Sequence, residues 1–118
     1  MKFVFLTAAF YDAYKNCPEI EQKVTRPYTQ VFITINKLPF AIPLRSNLKH
    51  PHVLWTDKAN KCGLDFSKAV IITDIQKYVD DTITPYIREN EFDSLRGKEY
   101  IVKTKMEKII NIDWLSFF

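Results

Sequence analysis

Between positions 45 and 52 the chain collects a guanidinium, a hydroxyl, an amide, an ammonium and two imidazoles. The residues are Arg45, Ser46, Asn47, Lys49, His50 and His52. That mixture suits the binding and cleavage of a phosphodiester. A ribonuclease that uses the substrate 2′-hydroxyl as internal nucleophile needs no metal. It needs a base or orienter for that hydroxyl, cations for the charge developing at phosphorus, and a proton donor for the leaving 5′-oxygen. An imidazole exchanges protons near neutral pH, so His50 or His52 is a candidate base or acid. Arg45, Lys49 or Lys68 can meet phosphate, and Ser46 and Asn47 can hydrogen-bond it. The pair Ser46-Asn47 equally suits a plain turn after a strand.

The charge distribution points the same way. Positions 23–68 carry eight Lys or Arg residues and two acids, Asp57 and Asp65, which leaves nine basic and twelve acidic residues elsewhere. The formal charge of +3 thus divides into +6 in this block and −3 outside it. Such asymmetry fits a surface that faces a polyanion, or simply a solvated basic face. Lys49, Lys58, Lys61 and Lys68 are the candidate phosphate contacts. Tyr28 and Trp55 bracket the block, and aromatics beside cations suit stacking on unpaired RNA bases. Tyr28, led in by Arg26-Pro27, reads as an RNA contact, while Trp55 reads as core.

Other chemistries fit poorly. His50-x-His52 with Cys62 lacks the paired ligand spacing of a closed zinc site. Ser46 has no Gly-x-Ser-x-Gly support for a hydrolase nucleophile. With two glycines there is no Gly-rich nucleotide loop. No metal or cofactor is expected. Cys17 and Cys62 read as isolated thiols of a reduced, cytoplasmic protein rather than as a disulfide framework.

The elements that must position these residues follow from pattern. A chain of 118 residues with 47% hydrophobic content makes one domain, 1–118, with a real core. Residues 2–6 read as a strand, not as an export signal, and 8–15 as a short helix. Residues 29–35 (TQVFITI) alternate and are β-branched, which predicts a strand. Asn36-Lys37 is a turn candidate, and 40–44 is the returning strand. Pro43 places that strand at an edge or a bulge. Residues 47–62 read as a long loop with at most one helical turn. Strands are expected at 69–73 and 83–87. Helices are expected at 89–95 and 98–110, with Gly97 as the stop between them. The apolar end, 113–118, should dock on the sheet or meet a partner. The order of elements predicts an α+β domain around a mostly antiparallel sheet. No stretch approaches the length of a membrane span.

Three blocks carry a family resemblance. They are Arg26-Pro27-Tyr28, then Phe40-Ala41-Ile42-Pro43-Leu44-Arg45-Ser46-x-x-Lys49-His50, then Gly63-Leu64-Asp65-Phe66-Ser67-Lys68-Ala69-Val70-Ile71. In this order they resemble the toxins of type III toxin–antitoxin systems, in particular the CptN and TenpN groups, distant relatives of ToxN and AbiQ. The resemblance implies a compact, strongly twisted, barrel-like antiparallel sheet with flanking helices, similar to the MazF and Kid toxins. It implies a metal-independent endoribonuclease that leaves 2′,3′-cyclic phosphate ends. It also implies inhibition by a small repeated pseudoknot RNA, cut by the toxin from its own precursor and closed with it into a cyclic hetero-oligomer. Such systems act in plasmid maintenance or phage defence. Cellular RNA would be the substrate, with no DNA or membrane partner.

On that reading Ser46 sits at the cleavage centre with Arg45, Lys49 and His50. Arg26, Tyr28, Asn47 and His52 would hold RNA, together with Lys58, Lys61, Ser67 and Lys68. The sequence departs from relatives around ToxN, which have threonine where Arg45 stands and a lysine one position before Lys49. The catalytic base is therefore open. A non-catalytic RNA- or protein-binding module with the same basic face is the rival expectation.

Overall fold

Asn36 and Lys37 turn the chain with φ of 52° and 68°, both in the left-handed region. This two-residue turn of the I′ kind matches the right-handed twist of the strands it joins. It sets the register of the central hairpin, in which Ile35 lies opposite Leu38 and Gln30 opposite Pro43. In the computed structural model of the chain, residues 1–17 and 28–115 are described, with side chains through 110. Arg26, Pro27 and the apolar end beyond 115 lie outside the described residues, as do the side chains from 111 onward.

The elements run β1 (Lys2–Leu6), α1 (Ala8–Ala13), β2 (Gln30–Ile35), β3 (Leu38–Arg45), β4 (Val53–Asp57), β5 (Cys62–Asp65), β6 (Val70–Ile71), α2 (Ile75–Tyr78), β7 (Val79–Asp80), α3 (Glu89–Leu95) and α4 (Glu99–Leu115). The seven strands form one antiparallel sheet in the order β4-β5-β3-β2-β1-β7, with β6 also on β3. The class is α+β, as expected. The sheet stays open rather than closing into a barrel, with β4 and β7 as its ends.

Side-chain alternation gives the sheet two covered faces. Val31, Ile33, Ile35, Phe40, Ile42 and Leu64 pack with Leu95 of α3 and with Val102 and Met106 of α4. Ala41 and Ile72 pack on the opposite face with Leu6 and with Phe10 and Tyr11 of α1. Strand β3 therefore reads as a nearly continuous buried run rather than as alternation. Thr7 starts α1 by accepting a hydrogen bond from the Phe10 amide at 3.3 Å. Gly97, at φ 71°, ends α3 in the left-handed conformation that glycine adopts most readily.

Several expectations need correction. Pro43 lies in a central strand, not at an edge. The Leu44 amide donates to the Thr29 carbonyl at 2.8 Å, so the neighbouring Pro43 nitrogen faces away from β2. On that side β3 passes from β6, paired at Phe40 and Ala41, to β5, paired at Leu44 and Arg45. Proline's missing donor thus falls where the ladder changes partner. The supposed loop at 47–62 contains β4, followed by a single 3₁₀ turn at Lys58–Asn60. Cys62–Asp65 form β5, a strand that the sequence pattern did not predict, and only Val70–Ile71 of the strand expected at 69–73 is paired. No strand forms at 83–87. Pro85 cannot donate to a ladder there, and Ile83 stays 57% exposed.

Gly63 is fixed by close approach. A Cβ there would lie 2.5 Å from the Leu54 carbonyl oxygen and 2.7 Å from Val53 Cγ1. The nearer obstacle is backbone of the paired strand, so relief requires moving β4. Gly63→Ala is expected to destabilise the fold by about 1–3 kcal/mol, the usual cost of overpacking. A urea midpoint equal to that of the wild type would show that β4 moves away freely.

Candidate active site

Strand β3 ends by presenting Arg45 and then Ser46 at one end of the sheet. Asn47 follows at φ 58°, a conformation that a short amide side chain tolerates, and it turns the chain away from the sheet. Ser46 is exposed. It opens on a small cleft of about 150 Å³ lined by Tyr28, Leu44, Arg45, Ser46, Cys62, Arg88 and Glu91. The Arg45 guanidinium lies 5.5 Å from the centre of the Tyr28 ring, within cation–π range. Two guanidiniums, a phenol, an aliphatic hydroxyl and a carboxylate therefore line one space.

A β-bulge brings α3 into this cleft. Trp55 lies opposite Gly63 and Asp57 opposite Cys62, so the register slips around Thr56. The extra residue re-aims Thr56 out of the ladder. Its hydroxyl donates to Glu91 Oε2 at 2.6 Å, and its carbonyl accepts from the Ser94 hydroxyl at 2.9 Å. Asn90 Nδ2 adds a bond to Asp57 Oδ2 at 3.3 Å. These bonds hold α3 against β4. Glu91 Oε1 in turn lies 3.5 Å from Arg88 Nε. Glu91 is buried, while Arg88 keeps 60% of its side chain exposed. Burial pushes the Cys62 thiol up, and the Glu91 charge adds to that while Arg88 opposes it. Cys62 is accordingly a protonated, non-nucleophilic thiol at neutral pH.

Behind Arg45 stands Asp65, fully buried and heavily bonded. Its Oδ2 accepts from Arg45 Nη1 at 2.6 Å. Its Oδ1 accepts from the Ser67 hydroxyl at 2.5 Å and from the Ser67 amide at 3.0 Å, and lies 3.0 Å from His50 Nε2. Burial raises the carboxyl pKa, but the bonds from Ser67 and Arg45 and the nearby His50 outweigh it, so Asp65 titrates below the usual carboxylate range. The group is an anchor: it fixes Arg45 at the cleft and ties the loop carrying His50 to the start of the 3₁₀ turn at Phe66–Lys68.

His50 has both ring nitrogens engaged. The His52 amide donates to Nδ1 at 3.1 Å, which assigns the proton to Nε2, beside Asp65 and 3.3 Å from the Ser67 hydroxyl. A Ser–His–Asp relay needs the serine and the carboxylate on opposite ring nitrogens. Here both meet Nε2, so Ser67 is not an activated nucleophile. His50 and Ser67, both expected at the site, are bonded to the Asp65 anchor.

The remaining expected residues that are described do not line the cleft. Asn47, Lys49, His52, Lys58 and Lys61 are exposed, and Lys68 and Trp55 are half-buried. None of these four lysines forms an ion pair with another described residue. Lys61 reaches the site's loop only through its carbonyl, which accepts from the Leu48 amide at 3.1 Å. Among the described residues no group of three or more His, Cys, Asp or Glu converges as a metal site, and no helix is long and apolar enough to cross a membrane. No protein-family model, curated protein or solved structure matches this chain.

Proposed function

We propose that the chain is a metal-independent endoribonuclease, the toxin of a protein–RNA toxin–antitoxin system. On this reading it acts in the cytoplasm on cellular RNA. It cuts its own antitoxin precursor and is held inactive by the resulting small pseudoknot RNA in a cyclic complex. One observation carries the reading: Ser46 and Arg45 meet Tyr28 and Arg88 at one cleft at the end of β3. Guanidiniums suit a phosphodiester by shape and permanent charge, and they stabilise the charge that develops as the 2′-oxygen attacks. The Tyr28 ring offers a face for the adjoining base. The exposed Lys49, Lys58 and Lys61 extend the positive surface beyond the cleft.

Purified protein incubated with single-stranded RNA in EDTA is expected to yield 2′,3′-cyclic phosphate and 5′-hydroxyl ends. The engaged nitrogens of His50 favour the rival, a non-catalytic binding module, and a mobility shift without cleavage would establish that rival. The affinity for single-stranded RNA should fall with salt. About three or four phosphate contacts imply a slope of log K against log[salt] near −2 to −3, at ~0.7 per phosphate on single strands. A flat dependence would mean that the basic block is a solvated face.

A further inference from the structure

We propose that Glu91 is the general base of the cleft, the group that takes the proton from the attacking 2′-hydroxyl. The inference rests on the ribonuclease reading above. It assigns the base to a carboxylate on α3 rather than to the imidazoles at 50 and 52.

Three observations support it. First, among the described residues Glu91 is the one carboxylate lining the cleft, in company with Ser46 and Arg45, and a tenth of its side chain stays exposed. Second, its orientation is locked. Thr56 Oγ1 donates to Oε2 at 2.6 Å, and Arg88 Nε stands 3.5 Å from Oε1. A carboxylate has about four acceptor positions, so two such partners leave room for a substrate hydroxyl. Third, the other candidate bases are otherwise placed. Both nitrogens of His50 are bonded, His52 is outside the cleft, and Cys62 holds its proton.

The proposed step balances. The 2′-oxygen bonds to phosphorus as its proton passes to the Glu91 carboxylate. The bond from phosphorus to the 5′-oxygen breaks, and that oxygen takes a proton from water at the cleft mouth. Glu91 then returns its proton to the hydroxide left behind. Products are a 2′,3′-cyclic phosphate and a 5′-hydroxyl. Arg45 and the exposed face of Arg88 neutralise the charge on the phosphoryl oxygens, and Ser46 donates a hydrogen bond to one of them. Among the described residues, the charged and titratable groups that line the cleft with Glu91 are Arg88 at the start of α3, Arg45 from β3, Cys62 from β5 and Tyr28, and Asp57 from β4 lies close enough to act on the Cys62 thiol. Two of these groups, Arg45 and Arg88, are cations that line the cleft with the carboxylate.

The test is the pH profile of cleavage of a single-stranded oligoribonucleotide in EDTA by the full chain. Glu91→Gln is expected to lower the cleavage rate by about 100-fold or more, and to flatten the acid limb of the profile, while RNA binding is retained. Thr56→Val removes a hydrogen bond to the charged carboxylate, so the acid limb is expected to move to higher pH. Glu91→Gln cleaving within about tenfold of the wild type, with the wild-type profile, overturns the assignment and leaves the ribonuclease reading standing. An unmoved acid limb in Thr56→Val also overturns it, making Glu91 a holder of Arg88. The Thr56→Val profile decides the matter if Glu91→Gln does not fold. A wild-type protein that binds RNA without cutting it overturns both.

Discussion

Asp65→Ala is expected to destabilise the fold by about 3–5 kcal/mol, the usual cost of removing one partner from a buried ion pair. Asp65 has no exposed surface, and it is the common acceptor for Arg45, Ser67 and His50. Its removal takes from the Arg45 guanidinium, four-fifths buried, the carboxylate that bonds it at 2.6 Å. It also unties two chain segments at once: the loop that carries His50 and the 3₁₀ turn begun by the Ser67 amide. Against a typical total of about 5–15 kcal/mol, that loss is large. Chemical denaturation at neutral pH measures it. A loss below about 1 kcal/mol, the range of an exposed pair, would show that the network adds nothing beyond surface charge.

The sign of its pH dependence follows from the same contacts. The Asp65 carboxyl titrates lower in the folded chain than in the unfolded one, where about 3.9 is normal. The unfolded state therefore binds the proton first as pH falls. Stability from this group is fully present above the unfolded pKa and is lost as pH drops through the folded value. The gap between wild type and Asp65→Ala should hold steady from neutral pH to about pH 5 and narrow below about pH 4.

Much of the scaffold is legible in the residues. The alternation of TQVFITI, the turn at Asn36-Lys37 and the glycine between the last two helices are local signals, and each element they predict is present. The elements that escape are those governed by distant contacts. Strand β4 is short and lies just past Pro51-His52, and its bulge at Thr56 breaks the period-two pattern that would announce it. β7 is two residues long and exists only by pairing with Phe5 and Leu6. Pro43 misleads because its tolerance depends on a change of partner across the sheet, which no local rule encodes.

The site is legible in half. Arg45, Ser46 and Tyr28 are visible as a cluster of chemical types near a strand end, and the cleft contains all three. Asp65 carries a usable signal. A lone acid inside the apolar run Gly63-Leu64-Asp65-Phe66 is affordable only when bonded, so a buried anchor is the natural reading of it. Arg88 and Glu91 carry none. Three residues apart at the start of a helix, they look like an ordinary surface pair. Only the bulge in β4, with its two bonds from Thr56 to α3, turns them toward Ser46. His50 shows the converse situation. The residue type is right for proton transfer, but its neighbours at 52, 65 and 67 hold both nitrogens.

Ser46→Ala and His50→Ala should therefore separate, although both residues sit in the same loop-bearing motif. Ser46 is exposed, and its hydroxyl opens on the cleft. Its loss removes no buried contact, so folding stability should change by less than about 0.5 kcal/mol. If the hydroxyl donates to the phosphoryl oxygen as charge develops there, its removal should slow RNA cleavage by about 10²–10³-fold. His50→Ala should behave in the opposite way. It deletes a partner of Asp65 and the acceptor for the His52 amide, so stability falls by about 1–2 kcal/mol, the scale of one or two hydrogen bonds. Its cleavage rate, measured under conditions where the variant is fully folded, should stay within about tenfold of the wild type, because no proton passes through a ring whose nitrogens are both engaged. Paired urea melts and cleavage rates for the two variants decide the matter. A His50→Ala protein that is stable but inactive would return the imidazole to the reaction and mean that the loop opens when RNA binds. A Ser46→Ala protein that cuts at the wild-type rate would move the reaction centre away from this cleft altogether.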